Sequence, residues 1–60
     1  MNAFGHIFGE ITKEIITALE ILGVGGRITL RPIADLDRIE VRVNGVYFGV
    51  WDRVKKTFVD

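Results

Sequence analysis

The apolar side chains of this sequence change their spacing at Gly23-Val24-Gly25-Gly26. Before that break they recur every three or four residues, and after it they alternate. A helix must therefore precede strands, and the two must share one small core. The 60 residues leave room for a single domain over 1–60, and a chain of that size buries only about 60% of the surface it exposes when unfolded. Disulfides do not supplement that core, because there is no cysteine. The same absence excludes thiolate zinc sites, iron–sulfur clusters and cysteine nucleophiles. Serine, the commonest hydroxyl nucleophile, is missing too.

Over 3–22 the spacing predicts one amphipathic helix, with Asn2 as its N-cap. Phe4, Ile7, Phe8, Ile11, Ile15, Ala18, Leu19 and Leu22 form the stripe expected of a core-facing helix. Gly23 should end it, since glycine takes the left-handed conformation at little cost. Beside the stripe, Gly5, Gly9, Thr12 and Ile16 form a second line. Helical glycines cost about 1 kcal/mol each relative to alanine. Either another backbone approaches this line, as small residues allow in tightly packed helix pairs, or the glycines are merely tolerated near a fraying end. Gly5, Gly9 and Ile16 are taken as a candidate contact.

After the glycine break the pattern predicts strands at about 27–31, 38–43 and 46–51, with 56–59 open between a fourth strand and a terminal helical turn. Pro32 should stop the first ladder, as at an edge strand or a strand end. Asn44-Gly45 between alternating runs is the strongest short-range hairpin signal, because a type I′ turn needs positive φ at both central residues. The expected fold is α+β, one N-terminal helix on a three- or four-stranded antiparallel sheet in the order αβββ or αββββ.

A regular two-residue hairpin would place Val43 opposite Val46, Val41 opposite Phe48 and Ile39 opposite Val50, on the face beneath the helix. The other face would then pair Arg38 with Trp51, Arg42 with Tyr47 and Glu40 with Gly49, and Arg27, Thr29 and Arg31 would join them. Trp51 and Tyr47 would each have a guanidinium within cation–π reach. Phe58 would add a third ring over Gly49 if residues 52–55 make a four-residue turn.

Three readings fit such a face. It is a protein interface, since Trp, Tyr and Arg are enriched at binding hot spots. It is a platform for single-stranded nucleic acid. Or it is a solvated sheet face whose arginines shield the rings. The formal net charge of zero weighs against nucleic acid, whose non-specific affinity depends on clustered cations.

His6, Glu10 and Glu14 lie at i, i+4 and i+8, a row better explained as a solvated helix face than as a metal site. The glycine loop follows a helix and opens a strand, the wrong polarity for cradling phosphate. No nucleophile–base constellation stands out, so neither an enzyme nor a cofactor is expected. The mean hydropathy of +0.29 is high for so small a chain, and self-association is the direct way to bury the excess, most simply as a dimer. With four charges between Phe4 and Leu22 and no basic residue before Lys13, neither a membrane helix nor a signal peptide is expected, which points to the cytoplasm. The sequence thus suggests a small non-enzymatic interaction protein that self-associates and binds a protein partner, with nucleic-acid binding as the alternative. Its candidate contact residues are Arg38, Arg42, Tyr47, Trp51, Gly5, Gly9 and Ile16.

Overall fold

The computed structural model describes the backbone of residues 3–33 and 37–60 and the side chains of residues 8–33 and 37–60. Helix α1 (Ala3–Ile21) is followed by strands β1 (Ile28–Ile33), β2 (Arg38–Val43), β3 (Val46–Asp52) and β4 (Thr57–Phe58). The strands form one antiparallel sheet in the order β1-β2-β3-β4. This is the expected α+β fold in its four-stranded form, αββββ, with Thr57–Phe58 as the fourth strand rather than a helical turn. The Asn2 cap and most of the 34–37 turn lie outside the described residues.

The glycine break ends α1 as the sequence anticipates. Gly23 takes a φ of 76°, its N–H donates to Glu20 C=O at 3.0 Å, and Val24 N–H donates to Leu19 C=O at 2.9 Å. Those two bonds define a Schellman cap, and Val24 folds back against the core beside Leu19, as that motif favours. At the far end of the sheet Asn44 (φ 55°) and Gly45 (φ 81°) make the I′ turn. Asn44 does more than turn the chain. Its N–H donates to Arg27 C=O at 2.7 Å, and its Oδ1 accepts from Arg27 N–H at 2.9 Å.

Ile11, Ile15 and Leu19 from α1 meet Ile39, Val41 and Trp51 from the sheet to form the core, with Phe8, Ala18, Val24, Ile28, Leu30 and Phe58 packed around them. The helix covers one face of the sheet only.

Two expectations are corrected. β1 does not stop at Pro32 but continues to Ile33, because β1 is an edge strand and the proline nitrogen lies on its open side. The hairpin is not regular either. Val43↔Val46 and Arg42↔Tyr47 pair as expected, but the next partners are Val41↔Gly49, Glu40↔Val50, Ile39↔Trp51 and Arg38↔Asp52. Phe48 is the extra residue of a β-bulge, and beyond it every side chain of β3 changes face.

Candidate functional site

The sheet face turned away from α1 is built by alternation along each strand. Thr29, Arg31 and Ile33 of β1 stand beside Arg42, Glu40 and Arg38 of β2. Tyr47, Val50 and Asp52 of β3 complete the rows. Arg27, one step before β1, shares the parity of Thr29 and Arg31. Four arginines therefore occupy this face, as the sequence implies.

The aromatic part differs. Trp51 is not beside Arg38 but 4% exposed in the core, opposite Ile39. The bulge at Phe48 is the physical reason, since one added residue inverts the parity of all that follows. Trp51 instead stacks edge-on against Phe58 at 5.1 Å, and Phe58 against Phe48 at 5.2 Å. Such pairs contribute about 0.5–1.5 kcal/mol each beyond their burial. Phe58 pairs with Trp51 rather than Gly49, because the turn spans 53–56. Its Cδ1 nonetheless lies 3.4 Å from where a Gly49 Cβ would stand. The ring over the strand glycine exists, but beneath the helix. Trp51 Nε1 is buried with no hydrogen-bond partner among the described residues.

Tyr47 is 46% exposed, and its hydroxyl donates to Asp60 Oδ2. That hydrogen bond raises the phenol pKa above its ordinary value, with partial burial and the negative charges of Asp60 and Glu40 adding to it. Arg42 Nε donates to Glu40 Oε2 at 2.7 Å, and Arg38 Nε lies 3.9 Å from Asp52 Oδ2. Arg27 and Arg31 are exposed and make no ion pair among the described residues.

Asp52 organises the turn behind this face. Its Oδ1 accepts from Val54 N–H at 2.9 Å and Lys55 N–H at 2.8 Å, an Asx-type turn that carries the chain into β4. The Lys55 N–H bond is the main reason the carboxyl titrates below its ordinary value; partial burial opposes that lowering, while Val54 N–H, Arg38 and Lys55 reinforce it.

The helix line stands apart from this face. A Cβ on Gly9 would meet nothing within 4 Å, and Ile16 is 39% exposed. Among the described residues, no backbone packs close to Gly9. Gly5 lies among the residues whose side-chain surroundings are not described. No group of three metal-ligating side chains occurs among the described residues. No described helix is long and apolar enough to cross a membrane.

The structure thus brings Arg38, Arg42 and Tyr47 onto one face, removes Trp51 from it, and leaves Gly9 and Ile16 on another surface. Sequence reasoning missed Ile33, Val50 and Val59 as apolar members of the open face. Val59 N–H donates to Val50 C=O at 2.8 Å, which sets those two residues side by side. Gly49, a glycine inside a strand, was the available signal of the bulge that exposes them. The sequence matches no protein family, and no curated protein or solved structure matches it either.

Proposed function

We propose that this chain is a small, non-enzymatic, cytoplasmic interaction protein that self-associates and binds an acidic protein surface through the open face of its sheet. The observation that carries the reading is the one-sided packing. α1 covers one face, while the other presents Arg27, Arg31, Arg38 and Arg42 around Ile33, Tyr47, Val50 and Val59. An apolar centre with tyrosine and arginine about it has the composition of a protein-binding surface. Arg38 and Arg42 have acidic neighbours and Arg27 and Arg31 have none among the described residues, a positive excess that an acidic partner would neutralise. The nucleic-acid alternative loses support from the burial of Trp51. Among the described residues, Tyr47 is the one ring left for stacking among the four arginines, and its hydroxyl is held by Asp60.

The test is affinity capture from an extract of the source cells, comparing the wild-type chain with an Arg31→Glu/Arg42→Glu double variant whose fold is checked by circular dichroism. A protein retained by the wild type, lost by the variant and indifferent to nuclease is the expected result. Retention of the same proteins by both chains rejects the face. Loss on nuclease treatment transfers the face to nucleic acid.

A further inference from the structure

The edge of the sheet carries an arrangement that the open face alone does not require. Arg27 directs both its N–H and its C=O towards Asn44, so its backbone bonds inward, towards β2. In an antiparallel ladder that direction alternates residue by residue. Thr29, Arg31 and Ile33 therefore bond inward as well, while the N–H and C=O of Ile28 and Leu30, and the C=O of Pro32, face away from the sheet. β1 is terminal in the sheet order, and the position of Pro32 agrees, because its nitrogen has no hydrogen to offer on the open side. Arg27 and Arg31 flank this stretch, whereas Arg38, Arg42 and Arg53 each have an acidic partner. On the opposite face, Ile28 and Leu30 are partly buried against the core. Outward-facing main-chain groups, two guanidinium groups without an ion pair among the described residues and an apolar lip thus share one edge.

Resting on the reading of this chain as an interaction protein, we infer that β1 takes an extended acidic segment of a partner protein as an antiparallel fifth strand. Main-chain bonds to Ile28 and Leu30 hold the segment, and alternate side chains select it. The partner pattern is acidic–apolar–any–apolar–acidic, with the acidic residues opposite Arg31 and Arg27 and the apolar ones opposite Leu30 and Ile28. Pro32 limits the pairing to about these five positions, since it donates nothing beyond them. A second copy of β1 fits this edge poorly. Centred on Thr29, self-pairing sets Arg27 opposite Arg31 twice, and like charges directly opposed are destabilising. Centred on Leu30, it sets Pro32 opposite Ile28 and loses a hydrogen bond on each side.

The probe is a capped peptide, Thr-Glu-Val-Thr-Val-Glu-Thr, added to the isotope-labelled chain at low salt while backbone amide exchange is followed by NMR. Saturating peptide is expected to slow exchange at Ile28 and Leu30 about tenfold or more, the signature of new main-chain bonds. N-methylating the peptide amides that would face β1 abolishes the effect. An Arg27→Glu/Arg31→Glu variant loses the Glu peptide and gains its Lys-for-Glu counterpart, a rescue that only a folded edge can give. Binding without protection at Ile28 and Leu30 overturns strand addition while leaving a face that binds acidic protein. No binding overturns strand addition, and the capture experiment then decides the open face separately. Protection that rises with protein concentration in the absence of peptide gives the edge to a second copy and likewise overturns the inference.

Discussion

Trp51 and Asp52 are neighbours whose side chains do opposite work, one under the helix and one on the open face. Truncating Trp51 to alanine leaves a cavity in the core beside Phe58 and Ile39, and substitutions of this kind cost about 3–5 kcal/mol. A domain of this size has about 3–9 kcal/mol in all. The expected outcome is a chain largely unfolded at ambient temperature by circular dichroism, whereas a tryptophan exposed among arginines would be removed at almost no cost. Asp52 gives a pH signature. Its carboxyl titrates lower in the folded chain than in the unfolded one, so the unfolded chain binds the proton more readily. The stability it confers is full above the unfolded carboxyl range, about pH 4, and is lost as pH falls through the lower folded value. Asp52→Asn should therefore destabilise the protein at neutral pH and lose that part of the acid dependence, so that the two melting curves converge in acid.

Among the elements, β4 is the shortest and depends on a glycine in its neighbour. A Cβ at Gly49 would stand 2.7 Å from the Asp60 carbonyl oxygen, too close for the chain end to remain where it is. Gly49→Ala should lift Asp60 away, and because the Asp60 hydrogen bond is the leading cause of the raised Tyr47 pKa, alkaline titration should then find Tyr47 closer to its ordinary value. An unchanged titration would mean that β4 accommodates the methyl group. The helix and its cap were legible because each rests on a local signal: a 3.6-residue stripe, then glycine at the left-handed position. The I′ turn was legible from Asn44-Gly45 for the same reason. The register beyond it was not. Val46-Tyr47-Phe48-Gly49-Val50-Trp51 offers an apolar side chain or a glycine at every position, so both parities satisfy the pattern, and a regular ladder was the simpler choice. What decides between them is long-range. Trp51 gains more from a place beneath the helix than beside Arg38, and Gly49 permits the chain end to pass over it.

For the molecule as a whole, the apolar surface left outside the core is what a second copy would cover. Ile16, Ile21, Leu22 and Val46 are exposed, and sedimentation equilibrium over a range of concentrations should show a dimer that Ile16→Lys weakens. A single monomer mass at every concentration would reject self-association. Tryptophan emission should be blue-shifted in either case, because Trp51 is sheltered within one chain. The bulge at Phe48 has a consequence on this scale that resembles a shift of reading frame. Downstream of it each residue of β3, and each residue of β4 registered on β3, is assigned to the layer it would otherwise have avoided. Excising one residue there would not subtract a contact; it would evert the end of β3 together with β4, sending Val50 beneath the helix and delivering the tryptophan to the arginines.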